Sequence, residues 1–333
     1  MKKITITDVA QHANVSKSTV SQFLNGRYDY MGSNTKKRIE ASIKELGFQA
    51  NFVARSLKMK QTSTIGVIVA NILHTFSTQI IRAIEDACNK NNFHIIVCNA
   101  DDDPGKEKDY INMLRAKQVD GLIIFPTGGN FDLYAEMEKQ KFPLVFIDRI
   151  VEGLTVDTVL LDNKHAMELA VNHLTERGHE RIGIITTSLI RNVTPRVERI
   201  AGFVNAMNKN GLAVDNEWVK GLELSVIQKG LANMLSLKNP PTAIIAGNDL
   251  SMMEILHYTV KNNINIPDDL ALISVDELAF ADIFTPSLSN ISQPAFEMGK
   301  TAAMILLKRI LESSEGKTGI IKFEGKLIAR NST

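Results

Sequence analysis

Residues 6–25 read Ile6-Thr-Asp-Val-Ala-Gln-His-Ala-Asn-Val-Ser-Lys-Ser-Thr-Val-Ser-Gln-Phe-Leu-Asn25, and this stretch decides how the rest of the chain is understood. Apolar Ile6, Val9, Ala10 and Ala13, then Val15, then Val20, Phe23 and Leu24 recur at helical spacing, interrupted at Asn14, where the chain turns between two short helices. The pattern is that of a helix-turn-helix. Ser16 is placed to cap the second helix by accepting an orphan backbone N–H, which leaves Lys17, Ser18, Ser21 and Gln22 pointing outward from its first turns. Polar side chains presented in that way reach base edges in a major groove.

Charge divides the chain in the same place. Residues 1–60 hold eleven Lys or Arg against four Asp or Glu, a net +7, whereas the remainder holds 27 against 33, a net −6. The overall balance of +1 therefore conceals a basic head on a mildly acidic body. A cationic head binds phosphates by releasing their counterions, and an acidic body is repelled by them, so nucleic-acid contact is expected from the head alone.

At 333 residues and 44% apolar content the chain exceeds one ordinary core, and two or three domains are expected. Lys2 and Lys3 are followed by a polar, periodic stretch rather than the apolar run of a signal peptide, and no later run reaches about 18 apolar residues, so a cytoplasmic protein without a membrane partner is expected. Cys88 and Cys98 stand apart from any His or Cys cluster and read as core side chains rather than metal ligands or a disulfide.

After a polar linker at 58–64, short apolar runs at 65–69, 94–98, 121–125, 143–147, 158–161, 182–186, 242–246 and 270–275 alternate with amphipathic helical stretches such as 78–91 and 166–177. Strands continuous in Val, Ile and Leu are covered on both faces, and their alternation with helices implies parallel βαβ units. The body is therefore a doubly wound α/β structure. Nine or ten such strands exceed one comfortable sheet, which predicts two lobes with a cleft between them, dividing near 161–163.

Asp8-Val-Ala, Val15-Ser, Ser18-Thr-Val-Ser and Leu24-Asn25 resemble the head of the lactose-repressor/galactose-repressor (LacI/GalR) family. Residues 51–57, Asn-Phe-Val-Ala-Arg-Ser-Leu, resemble that family's hinge helix, and residues 327–333 resemble its ending, so the similarity spans nearly the whole chain. The resemblance implies an all-α helix-turn-helix head at 1–48, then a hinge helix and linker at 49–63. It further implies a two-lobed, doubly wound, periplasmic-binding-protein-like body, the first lobe taking 64–161 and 293–322, the second 162–292 and 323–333. Some members continue into a leucine heptad tail that assembles tetramers; the sequence stops before one, and a homodimer on a palindromic double-stranded DNA operator is expected.

Within the head, Lys17, Ser18 and Gln22 are expected to read base edges, and Thr5, Thr19, Ser21, Asn25 and Lys37 to position the module on phosphates. Gln22 stands where members of the family commonly carry arginine. Arginine forks onto guanine, whereas glutamine matches the adjacent donor and acceptor of adenine, which predicts A·T where relatives read G·C. The loop at 27–32 is one residue longer than the commonest version, with Gly32 or Ser33 left to cap the third helix. The hinge is too short to be a stable helix alone and is expected to order only on DNA. The resemblance then implies Leu57 as a minor-groove wedge beside Arg55, with Ala54 permitting close approach and Asn51 opening the segment after Ala50, where a proline is usual.

In the body, Asp148, Arg199, Asn248 and Asp276 match the family's ligand-binding pattern. Three of them follow apolar strands at carboxyl ends, where open α/β sheets bind ligands. Carboxylates and a guanidinium suit a polyhydroxylated ligand, for which Phe76 or Phe125 supplies an apolar face. The competing reading of these groups is salt bridging between lobes. Arg191 and Arg196 lie near Arg199 and favour a sugar acid or sugar phosphate over a neutral sugar; ordinary surface arginines are the alternative. Family members commonly show Asn-Pro-Phe-Phe where this chain has His74-Thr-Phe-Ser77.

Catalytic motifs are absent from the sequence. Gly299-Lys-Thr301 resembles the end of a phosphate loop, but Pro294 stands where that loop needs glycine. There is no serine elbow, paired-histidine zinc motif or dinucleotide fingerprint, so neither an enzyme nor a cofactor is expected. His173 and His179 read as favourable to a helix dipole. The expected function is a sequence-specific DNA-binding regulator, acting as a repressor of a carbohydrate-utilisation operon and controlled by a sugar-type effector. A cytoplasmic sugar-binding or sugar-processing protein with a head of other purpose is the alternative, and a body that binds a phosphoprotein corepressor is a further one.

Overall fold

The computed structural model describes residues 4–29, 31–48, 61–312 and 318–333. The chain forms two compact units, Met1–Thr62 and Ser63–Thr333.

The head contains α1 (Ile6–His12), α2 (Lys17–Leu24) and α3 (Ser33–Leu46). Val9, Ala10, Ala13, Val20 and Ile39 form its buried core, which is the helical-period set of the sequence closed by one residue of α3. Asn14 takes the left-handed backbone, φ 48°, that an asparagine accepts more readily than most residues. Ser16 caps α2 by accepting from the Thr19 backbone N–H at 3.1 Å. Gly32 precedes α3 without a side-chain cap, and the long loop before it is held by Tyr28, edge-on to Phe23 at 5.9 Å with Lys36 Nζ 4.1 Å from its ring centre.

The strands of the body are β1 (Thr64–Val69), β2 (His94–Asn99), β3 (Gly121–Ile124), β4 (Leu144–Ile147), β5 (Asp157–Leu161) and β6 (Ile182–Thr187). They continue with β7 (Val219–Leu222), β8 (Ala243–Ala246), β9 (Ala271–Val275), β10 (Ser289–Ser292), β11 (Ile320–Phe323) and β12 (Lys326–Ile328). Its helices are α4 (Thr75–Lys90), α5 (Pro104–Ala116), α6 (Phe131–Lys139) and α7 (Asn163–Glu176), then α8 (Thr194–Lys209), α9 (Ile227–Leu235), α10 (Asp249–Lys261) and α11 (Ala295–Glu312).

Two six-stranded sheets result, ordered β11-β5-β4-β3-β1-β2 and β12-β10-β9-β8-β6-β7. Every pairing is parallel except β10 with β12. Strand residues alternate between faces, and both faces are buried. In the first sheet Ile123 and Val145 pack with Ile80, Ile84 and Met298 of α4 and α11, while Leu122, Ile124 and Phe146 pack with Leu114, Tyr134 and Met137 of α5 and α6. The second sheet repeats the plan, with Ile182 and Ile245 against α7 and α8, and Ile244 and Leu272 against α9 and α10. Each such aliphatic side chain removed from water contributes roughly 1.5–3 kcal/mol, which is why the central strands read as unbroken apolar runs.

The chain passes between sheets three times, after β5, after β10 and after β11. Because the strands on each side of these passages are parallel, the loops after β1, β3 and β4 meet the loops after β8, β9 and β10 around one cleft. Gly299 has no phosphate-loop role in this frame. It is buried in α11, where a Cβ would sit 2.8 Å from the Ile80 carbonyl oxygen and 2.9 Å from Ala83 Cβ, so glycine is what lets α11 lie on α4.

Candidate ligand cleft and nucleic-acid interface

The cleft between the two sheets is open to solvent and spans about 470 Å³ with that open space included. It brings together all seven side chains singled out for ligand contact in the sequence: Phe76, Phe125, Asp148, Arg196, Arg199, Asn248 and Asp276. Phe76 and Phe125 pack edge to face at 6.3 Å and supply the apolar wall. Asp148 and Asp276 stand one residue beyond β4 and β9, both in the left-handed region with φ 67° and 72°. Each such non-glycine backbone costs of order 1–3 kcal/mol, a strain that the surrounding structure sustains while aiming both carboxylates at the cleft.

Arg199 is buried in α8, its Nε donating to Asn163 Oδ1 at 2.8 Å and one terminal nitrogen to the Gly247 carbonyl at 2.5 Å. That leaves the other terminal nitrogen of the fork without a hydrogen bond to the described residues. A Cβ on Gly247 would meet Thr186 at 2.7–2.8 Å, so glycine is what lets the turn after β8 lie against β6. Asn248 uses its Oδ1 to cap α10, accepting from Ser251 N at 2.8 Å, so the amide NH₂ is what it presents to a ligand. Asp276 Oδ1 accepts from Gln293 Nε2 at 2.5 Å, and its second oxygen makes no hydrogen bond to the described residues.

Electrostatics in the cleft are set by burial and by a dense run of ion pairs. Asp276 is pushed up to about 6, chiefly by burial and further by Asp249, against the opposing pull of Arg199, Gln293 and His74. Burial also works against the charge on Asp102, yet Arg149 and Arg196 overcome it and hold that carboxyl below the usual range. Arg149 donates to Asp102 Oδ1 at 2.9 Å, Arg196 lies 3.3 Å from Asp102 Oδ2, and Arg191 donates to the Asp102 carbonyl. Arg196 also donates to the Ser188 carbonyl at 2.9 Å.

Sequence reasoning missed several members of the site. Asp102 and Arg149 create much of its charge pattern; Arg149 was visible only as the residue after Asp148. Gln293 lies at the second passage between sheets, and its Oε1 is buried without a partner beside the cleft. His74 and Asp249 meet across the cleft at 2.5 Å. The signal for these residues was positional: each follows a strand whose carboxyl end faces the other lobe.

On the head, Lys17, Ser18 and Gln22 are exposed along the first two turns of α2, and the side chains of Lys17 and Gln22 make no hydrogen bond to the described residues. Ser18 and Thr19 turn their hydroxyls to Ser16 Oγ at 2.7 and 2.8 Å. Thr5 is exposed and caps α1 in a reciprocal box with Asp8, its backbone N–H donating to Asp8 Oδ2 at 2.7 Å, a role that the Thr5 to Asp8 spacing encoded. Asn25 donates to the Ser21 carbonyl at 2.7 Å, and Lys37 is exposed on α3. Asn51, Ala54, Arg55 and Leu57 lie outside the described residues.

Cys88 and Cys98 are buried free thiols, the former pushed up to about 12 by burial and by Glu85. His173 and His179 do not serve as cations at a helix end: burial, with Arg177 adding to it, lowers both below the usual value, and they bond the hydroxyls of Thr333 and Thr242. Among the described residues no helix is long and apolar enough to cross a membrane, and no group of three or more His, Cys, Asp or Glu could hold a metal.

A family model described as periplasmic binding proteins and sugar binding domain of LacI family matches residues 62–328, and one described as bacterial regulatory proteins, lacI family, matches residues 5–51. A relative named "Probable HTH-type transcriptional regulator EndR", from Paenibacillus polymyxa, is 47% identical over 307 residues, covering 92% of this chain and 90% of that protein. The HTH-type transcriptional regulator KdgR of Bacillus subtilis (strain 168) is 33% identical, covering 98% of this chain and 97% of its own. The solved structure of the lac repressor dimer bound to operator and the anti-inducer ONPF has the same fold, with a TM-score of 0.87 at 22% identity and 99% of each chain covered. Helix-turn-helix head, doubly wound two-sheet body and these matches together place the chain in the LacI family, as a DNA-binding transcriptional regulator.

Proposed function

We propose that the protein is a homodimeric repressor of a carbohydrate-utilisation operon, released from or retained on a palindromic operator by a sugar or sugar acid bound in the cleft. The observation that carries this reading is the pair of carboxylates on left-handed backbone, Asp148 and Asp276, facing one cavity with the open side of the Arg199 guanidinium and the amide of Asn248. Hydroxyl groups donate to the first two and accept from the others, which matches a polyol better than a flat or apolar ligand. Arg191 and Arg196 spend donors on Asp102 and Ser188, so much of the positive charge legible in the sequence is compensated within the protein. That compensation favours a ligand with at most one acidic group over a sugar phosphate.

Ligand control requires unequal binding to two arrangements of the lobes, since a ligand with equal affinity for both shifts nothing. The cleft is built for such inequality because its donors and acceptors come from both sheets. The test is a titration of the full chain onto the duplex upstream of its own gene, repeated with a panel of neutral sugars and sugar acids, alongside calorimetry on the same panel. Operator affinity that changes with a sugar seen to bind by calorimetry supports the reading. No duplex binding even at low salt would move the protein to the sugar-binding alternative, and operator affinity indifferent to every compound would remove the sugar effector.

A further inference from the structure

His74 and Asp249 belong to opposite lobes. His74 lies between β1 and α4, and Asp249 is the first residue of α10, beyond β8. Asp249 Oδ1 lies 2.5 Å from His74 Nδ1, while Oδ2 accepts from the Thr75 backbone N–H at 2.8 Å. One carboxylate thus grips a side chain and the first main-chain donor of a helix on the far side of the cleft. The two side chains are 16% and 5% exposed, so solvent and salt screen the pair weakly. His74 Nε2 makes no hydrogen bond to the described residues, and the ring lines the cavity.

Other links cross the same gap: Arg196 to Asp102 at 3.3 Å, Arg191 to the Asp102 carbonyl, and Thr194 Oγ1, which accepts from Ile150 N at 2.9 Å. Arginine and threonine keep their charge state through neutral pH, whereas an imidazole changes its own there. We propose that His74 and Asp249 form an inter-lobe clasp that holds the cleft shut while the imidazole is charged and loosens when it loses its proton. This rests on the reading of the cleft as the effector site, and it adds proton control to ligand control.

The groups acting on His74 are Asp249 from α10, Asp276 from the loop after β9 and Asp102 from the loop after β2; the cations lining the same cleft are Arg149, Arg196 and Arg199. Burial opposes the imidazolium, but the hydrogen bond and charge of Asp249, aided by Asp276 and Asp102, outweigh it and raise His74 above its ordinary 6.5. A group raised in the folded state contributes fully below its unfolded value and loses that contribution as pH climbs through the raised one. A neutral imidazole can still donate one N–H to the Asp249 carboxylate, but the attraction between opposite charges in this weakly screened site is lost.

The experiment reads lobe separation in the full chain by electron–electron distance measurement, with spin labels on Asp132→Cys in α6 and Lys238→Cys before β8, both exposed positions. Cys88 and Cys98 are buried and stay unlabelled. Between pH 6.5 and about pH 9 the labelled chain is expected to lose its short-distance population, and the same chain carrying His74→Asn to show one distribution at every pH. A distribution that does not respond to pH in the parent chain, or a His74→Asn chain that responds as the parent does, overturns the clasp. Neither DNA nor sugar enters the measurement. A flat profile therefore leaves operator repression standing, and failure to find an operator leaves the clasp standing.

Discussion

Asp148 and Asp276 occupy equivalent places in the two lobes but not equivalent surroundings. Asp276 is enclosed, and among the described residues only Gln293 is hydrogen-bonded to its carboxyl, which is pushed up to about 6 by burial above all. A raised carboxyl favours the protonated native state, so its contribution to stability is complete below the usual 3.8 and is lost as pH rises through about 6. Urea unfolding across that window should show a fall in stability that Asp276→Asn abolishes; equal slopes in the two proteins would contradict the assignment. Asp249 and Asp102 are held low by their partners, His74 and the arginines, despite burial, and their losses lie on the acid side, outside the window. At the head the informative residue is Gln22, exposed on α2 with its side chain making no hydrogen bond to the described residues. Selection of sites from random duplexes should give A·T at the contacted position for the parent and G·C for Gln22→Arg, a difference of about 1–3 kcal/mol per base pair. The candidate site was partly legible at this scale. Seven cleft residues could be named from sequence, but Asp102, Arg149, His74, Asp249 and Gln293 could not, because their roles depend on which side chains face them across the gap.

Among the elements, central strands declared themselves, and of the edge strands only β2 did. Strands β3, β4 and β8 are apolar throughout, and β1, β6 and β9 are so but for one or two hydroxyl residues, because helices cover both faces. In contrast, β7 is half-buried along its length, and β11 and β12 are short and largely uncovered, so no continuous apolar run marks them. Strand β10 shows a different failure. Ser289-Asn-Ile-Ser292 is largely buried yet reads as a loop, since Ser289 is satisfied by Ser332, Thr333 and Arg330, and Asn290 Oδ1 accepts from Arg330, all from the end of the chain. Helix α11 carries the clearest element-level prediction. Its Gly299 touches the backbone of α4, so Gly299→Leu should force the helices apart and destabilise the body by about 1–3 kcal/mol, read as a lower urea midpoint at unchanged slope. Thr5→Ala removes the hydroxyl half of the α1 capping box, leaving the Thr5 backbone N–H on Asp8, and should cost about 0.5–2 kcal/mol, detected as earlier thermal loss of head helicity.

For the whole molecule, charge is segregated: a net +7 over residues 1–60 and −6 over the rest. Operator affinity should therefore fall linearly with salt on logarithmic axes, by about 0.9 per phosphate neutralised, and Lys37→Ala, present in both subunits of the proposed homodimer, should reduce that slope by about two. An unchanged slope would remove Lys37 from the phosphate contacts. The sequence by itself determined the helix-turn-helix, the alternation of covered strands and helices, and the basic head, because periodicity and net charge are properties of neighbours along the chain. Only the tertiary structure decided what closes the cleft. The three passages between sheets bring together residues 175 positions apart, His74 and Asp249, and a hydrogen bond between them depends on distance in space, which no local pattern of residues records.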